Sequence, residues 1–182
     1  MLLIDWVKLE LRRRVTKLLL DPSRRKKIRE KRENKRRAEN KPHQVFYLHQ
    51  VDDPYSHLCC QILDQLEHSY NIEVIPLVVG SPPPSSTPEV EMLKKHNIED
   101  AKMIAPYYGL TFDTNEIDIE SKNIKIAQSI LLGTEQEAFA KVSLEVGEAL
   151  WRNNSETLRA LQQNSTVLSD EEISARITIN SQ

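Results

Sequence analysis

Two apolar runs, Val45-Phe46-Tyr47-Leu48 and Ile72 to Val79, flank a segment led by Asp52-Asp53-Pro54. A short run rich in β-branched and aromatic residues, ended by turn formers, predicts a strand. The first run reads as a short buried strand, and the second as a strand covered on both faces. The interval from Pro54 to Tyr70 predicts a helix. Asp53 suits its N-cap, because a carboxylate accepts from the orphan amides of the first turn. Pro54 suits the first helical position, where no amide partner is lost. Leu58, Cys59, Ile62, Leu63, Leu66 and Tyr70 form the apolar face, so Cys59 is the expected buried thiol, with Cys60 beside it. Strand, helix, strand in this order predicts a parallel pair joined by a right-handed crossover, and hence the α/β class.

The region before this unit has a different character. Leu3, Val7, Leu11, Val15 and Leu18 recur at helical spacing, forming one stripe of an amphipathic helix. Asp21-Pro22-Ser23 ends that helix. Ser23 is then placed to cap a second helix over 24–39, which has only Ile28 and Ala38 to bury. Residues 1–41 hold 16 Lys/Arg against 6 Asp/Glu, while the remainder holds 9 against 21. Such a split marks an appendage with its own partner.

Downstream, 81–88 reads as a loop with four prolines, and Thr87-Pro88-Glu89 as the start of a helix to about His96. A separate short helix is expected from Asp100 to Tyr108, closed by Gly109 and open to a kink at Pro106. Residues 121–132 read as a helix, and Thr134-Glu135-Gln136-Glu137 as a capping box opening another to about Trp151. A further helical piece spans 155–162, and the weakly patterned tail from Ser169 is open to a helix over 170–176. The expected division is an arm (1–41), a β-α-β half (42–112), a helical insertion (113–165) and a tail (166–182). No run of about 18 apolar residues predicts a membrane span. Asp5 and five basic residues by Lys17 disagree with a secretion signal, and adjacent cysteines supply no disulfide framework. A cytoplasmic protein, peripheral at most to a membrane, is the expectation.

The strand Val45-Phe-Tyr-Leu-His49, the turn Asp53-Pro54-Tyr55-Ser56, the prolines at 82–84 and the series Asp100-Ala-X-X-Ile-Ala-X-X-Tyr-Gly109-Leu-X-Phe112 fall in a recognisable order. Ile130-Leu-Leu, Glu137-Ala-Phe and Ala149-Leu-Trp151 extend it. In this order the chain resembles the DsbA family, in its branch of 2-hydroxychromene-2-carboxylate isomerases and kappa-class glutathione transferases. The resemblance implies a thioredoxin-like core with a helical insertion, and glutathione as a co-substrate. It also implies catalytic positions at Asp53 and Ser56, with Pro54 and Tyr55 against the ligand. The family's Cys-Pro-X-Cys turn is replaced, with Asp53 in the first position and Ser56 in the fourth. The family's cis-proline segment and C-terminal strand pair have no counterpart before Gln182.

A carboxylate forms no mixed disulfide, so thiol-disulfide exchange at Asp53 is chemically excluded. It accepts hydrogen bonds and repels a thiolate, which disfavours glutathione activation by the usual route. A helix-capping role for Asp53 competes with a general-base role. His49, Asp52, Asp53 and His57 have metal-binding side chains, but without ligand spacing they are read as polar residues at a strand-to-helix turn. Tyr107 and Tyr108 read as helix-end packing. In the arm, Arg12, Arg13, Arg14, Lys17, Arg24, Arg25, Lys26 and Lys27 are the candidate contacts to an anionic membrane surface or RNA. A merely solvated basic helix is the alternative. Three classes stay open: a DsbA-type relative with lost or altered chemistry, a glutathione-dependent isomerase or transferase using other residues, and a non-catalytic interaction module.

Overall fold

A computed structural model of the chain describes residues 2–83, 85, 87–114, 118–166 and 168–181, with side chains described from residue 8 onward except at 18. The side chains of Leu3, Trp6, Val7 and Leu18, and Pro84 of the proline-rich loop, lie outside the described residues. The chain is mixed α/β, 66% helical, with a two-stranded parallel sheet. It divides into two compact units, 1–43 and 44–182.

The first unit holds α1 (Leu2–Leu20) and α2 (Pro22–Ala38). Ser23 does not cap α2. Asp21 does, its carboxylate accepting from the Ser23 amide at 3.0 Å, with Pro22 at the first helical position. Proline needs no amide partner there, so the helix starts two residues earlier than the sequence expectation. No residue of α2 is buried, Ile28 and Ala38 included. Local charge pairing holds its end instead. Glu33 accepts from Arg36 and Arg37 at 2.7 Å each, and those guanidinium bonds pull its carboxyl down to about 2.

The second unit opens with β1 (His43–Gln50), which crosses the boundary, and continues with α3 (Pro54–Cys60), α4 (Leu63–Ser69) and β2 (Ile72–Val79). Two expectations fail here. The crossover helix is broken at residues 61–62. Gln61 turns its amide away: Nε2 donates to the Thr111 carbonyl at 2.7 Å, and Oε1 accepts from the Thr111 amide at 3.0 Å. Secondly, β1 is largely exposed. Phe46 and Leu48 point outward at 63% and 57% exposure, while Tyr47 and His49 take the inner face. A strand paired on one edge and covered on one face cannot bury a continuous apolar run. In β2, only Val74 and Val78 are fully buried, so cover on both faces is also incomplete.

The remaining elements are α5 (Val90–Ile104), α6 (Ser121–Leu132), α7 (Phe139–Trp151), α8 (Ser155–Gln163) and α9 (Asp170–Asn180). The two expected helices between Thr87 and Tyr108 are one, because Ile98 and Ala101 pack into the interior across the expected break. Pro106 does not kink it. It sits at the start of a 3-10 turn, Ala105–Tyr108, closed by Gly109 at φ 68°. That left-handed conformation favours glycine. The expected capping box at Thr134 and Glu137 is absent, since Thr134 donates backward to the Ile130 carbonyl at 2.8 Å. The box lies instead at Ser169 and Glu172, opening α9.

The core gathers Leu63, Val74, Val78, Ile130, Val146, Leu150 and Leu158. The helices α6, α7 and α8 pack on one another, and α9 packs on α6 and β2. Asn180 donates to the Val78 carbonyl at 2.9 Å, and Ser129 accepts from the Leu168 amide at 3.0 Å. A second cluster of Leu58, Ala101 and Ala105 joins α3 to α5.

Candidate functional site

The chain leaves β1 through Val51 and Asp52 and enters α3 at Asp53. Asp53 is the N-cap, its Oδ2 accepting from the Ser56 amide at 2.7 Å and the Ser56 hydroxyl at 2.9 Å. Ser56 is buried and its Oγ accepts from the Gln50 amide at 3.3 Å. Its proton is therefore committed to Asp53, and neither residue presents a free nucleophile. Tyr55 donates to Asp100 at 2.7 Å, tying α3 to α5. Burial and that carboxylate push its phenol up to about 12. Pro54 is buried at the start of α3. The four candidate positions are thus brought together, held by one another and by α5.

The capping role has a measurable size. Asp53→Ala is expected to cost about 1 kcal/mol in urea denaturation, the typical value for a lost cap. Asp53→Asn should retain most of it, because the amide oxygen still accepts. Equal losses in both variants would contradict the capping assignment.

The thiols are reversed from expectation. Cys60, not Cys59, is buried, because the helix phase turns residue 60 toward α7. Its thiol donates to the His57 carbonyl at 3.0 Å, and burial pushes it up to about 12. Cys59 is exposed, yet partial desolvation and the Asp53 charge still raise its thiol. A raised thiol pKa is the opposite of what a reactive cysteine needs.

Two buried imidazoles flank this region. Tyr47 donates to the Ser56 carbonyl at 2.8 Å, and its oxygen lies 2.8 Å from His49 Nδ1. The phenol has one proton and the carbonyl only accepts, so His49 carries its proton on Nδ1 and donates to Tyr47. Burial pulls His49 down to about 4, with a further contribution from His57. Burial and Arg152 pull His57 down to about 4. His57 packs on Gly147 of α7 and against the Phe112 ring, 5.9 Å away between centroids. Among the described residues, no three His, Cys, Asp or Glu side chains are grouped to hold a metal, so His49, Asp52, Asp53 and His57 form no such cluster.

A cavity of about 360 Å³ opens beside the turn. Asp52, Asp53, Gln50, Glu91, Lys94 and Asn97 supply its polar lining, and Pro54, Pro82, Val90, Leu93 and Ile98 its apolar lining. Asp52 accepts from Gln50 and Ser81, each at 3.0 Å, which joins the end of β1 to the loop after β2. Trp151 also lines the cavity, with its ring 5.0 Å from Phe112. Sequence reasoning passed over Trp151, Glu91 and Asn97 as site residues. The only signal was a Trp closing an apolar helix, and such residues usually serve the core.

In the first unit, Leu11, Val15 and Leu19 stand four residues apart on α1 and are exposed at 62%, 47% and 63%. At 100° per residue Arg12 and Arg14 flank that face. Arg14 pairs with Glu10 at 3.3 Å and Lys26 with Glu30 at 4.0 Å. Arg12, Arg13, Lys17, Arg24, Arg25 and Lys27 make no ion pair among the described residues. No helix among the described residues is long and apolar enough to cross a membrane. No family model and no curated protein matches the chain.

Proposed function

We propose that this chain is a thioredoxin-like relative of the DsbA type that has left thiol chemistry and serves as a non-catalytic module held on an anionic membrane surface by its basic arm. The observation that carries the reading is α1, where exposed Leu11, Val15 and Leu19 lie between Arg12 and Arg14. Such a helix buries its apolar face at the headgroup boundary while the cations meet anionic lipid. Each basic residue near that surface contributes about 1 kcal/mol. RNA binding uses the same cations but has no use for three exposed aliphatic side chains, so the lipid reading is favoured. The loss of thiol chemistry is supported by the Asp53–Ser56 pairing and by two thiols raised in pKa. Glutathione fits poorly beside Asp52 and Asp53, because like charges repel a thiolate.

Sedimentation of the full chain with vesicles tests the reading. Binding to phosphatidylserine-containing vesicles is expected at low salt, with a marked fall at high salt. Neutral phosphatidylcholine vesicles should bind far less. Replacing Arg12, Arg13, Arg14 and Lys17 by Gln should weaken binding by at least about a hundredfold. Equal binding to both vesicle types, or RNA binding without vesicle binding, overturns the proposal.

A further inference from the structure

We infer that the open edge of β1 is a self-association site, where β1 of a second copy adds antiparallel and turns the two-stranded sheet into one of four strands. The surface lies within the second unit and does not depend on the membrane reading of the arm. A sheet of two strands has two outer edges, and here one of them is closed. The Val74 amide donates to the Glu67 carboxylate at 2.8 Å, and the Val78 carbonyl accepts from Asn180 at 2.9 Å. Backbone direction alternates along a strand, so Pro76 faces the same edge, and it has no amide to offer. Side chains from α4 and α9 thus occupy the far edge of β2.

The edge of β1 carries no such cover. The Gln50 amide donates to Ser56 Oγ at 3.3 Å, and the Gln50 carbonyl accepts from the Asp53 amide at 3.1 Å, so Gln50 faces away from β2. By the same alternation, the amides and carbonyls of Phe46 and Leu48 face the open edge. Both side chains are exposed on the outer face. Exposed edges are ordinarily guarded by proline or by charged side chains. From Gln44 to Gln50 there is no proline, lysine, arginine or carboxylate.

The register identifies the occupant. In an antiparallel pair centred on Tyr47, Phe46 stands opposite Leu48 of the second copy, and Leu48 opposite its Phe46. Each is a hydrogen-bonded pair that exchanges two backbone bonds. Gln44 and Gln50 meet at the ends. Every outward pair is apolar on apolar or amide on amide, with no like charges opposed. The remainder of the second unit is acidic, so this uncharged strand is where two copies approach with least repulsion. One strand pairing is smaller than the ~1,200 Å² at which standard interfaces begin, so the dimer is a weak one that forms at high concentration.

Sedimentation equilibrium of the full chain, at high salt and without vesicles, tests the inference. The average mass should rise with concentration from that of one chain toward that of two. The double variant Phe46→Lys, Leu48→Lys sets lysine opposite lysine in both central pairs and should weaken association at least about tenfold. The double variant Phe46→Glu, Leu48→Glu should do the same alone, and an equimolar mixture of the two should restore a heterodimer. Circular dichroism of both should match the parent chain, because the positions are exposed. The register is read by cross-linking in a Cys59→Ser background. Phe46→Cys mixed with Leu48→Cys should form a disulfide-linked pair, and either alone should link far less, since only opposed residues lie within bridging distance. A chain that stays monomeric at millimolar concentration overturns the inference. So does a dimer that survives the lysine variant, which would place the contact elsewhere, or equal cross-linking in the single and mixed cysteine samples.

Discussion

Gly147→Ala is expected to destabilise the second unit by about 2 kcal/mol, although alanine favours a helix more than glycine does. A Cβ at this position would lie 2.3 Å from His57 Nδ1, 3.0 Å from Cε1 and 3.3 Å from Cγ. No carbon tolerates the first distance. The imidazole is not a free end that swings aside, since it is 5% exposed and lies against Phe112. Either α3 or α7 must move, and overpacking a core in this way costs about 3 kcal/mol. The gain in helix propensity returns about 1 kcal/mol. A double-mutant cycle isolates the contact: with His57→Ala in place, Gly147→Ala should become neutral or stabilising in urea denaturation. The same loss in both backgrounds would show that the glycine is needed for another reason.

The second large effect is on acid stability. His49 and His57 are both held near 4 in the fold, against about 6.5 in the unfolded chain. Above pH 6.5 both states hold the imidazoles neutral and neither contributes to the balance. Between 6.5 and about 4 the unfolded chain binds protons that the folded chain refuses, so stability falls as pH falls. Below about 4 the loss from these groups levels off. Each imidazole accounts for a loss on the order of 3 kcal/mol, so together they are expected to dominate acid unfolding. The carboxyls Glu33, Glu39 and Glu172 are held below their ordinary value of 4.5 and lose their contributions as the pH falls below it, in the same direction. His49→Phe, placed against Phe139 and beside Tyr47, should flatten the slope of stability between pH 6.5 and 4 by about half. An unchanged slope would mean that His49 is protonated in the fold.

The parts of the fold that were legible in the sequence depend on near neighbours. Asp53-Pro54 declares the start of α3 within two residues, and Gly109 declares the end of the 3-10 turn. Ser121 to Leu132 declares α6 by its period alone. The parts that were not legible depend on distant partners. Nothing near Gln61 indicates that its amide will clasp Thr111. Thr134 and Glu137 have the spacing of a capping box, yet the hydroxyl turns back to Ile130. Phe46 and Leu48 read as interior residues, but the inner face of β1 belongs to Tyr47 and His49, which bond to each other, Tyr47 also donating to the Ser56 carbonyl. The candidate turn was legible as a place, because Asp53 and Ser56 do meet there. Its cavity was not, because Trp151 arrives from the far end of α7 and Glu91 from α5.

The Gln61–Thr111 clasp has a consequence for the order of folding. Its partners are fifty residues apart, so the join between α3 and α4 is fixed only after a long loop has closed. Closing such a loop costs chain entropy before any contact is gained. The crossover between the two strands, usually the most local decision in such a unit, is here a long-range one, and contacts of that kind slow folding. Until Thr111 arrives, the Gln61 side chain has only its local bond, Nε2 to the His57 carbonyl at 3.3 Å, to hold it.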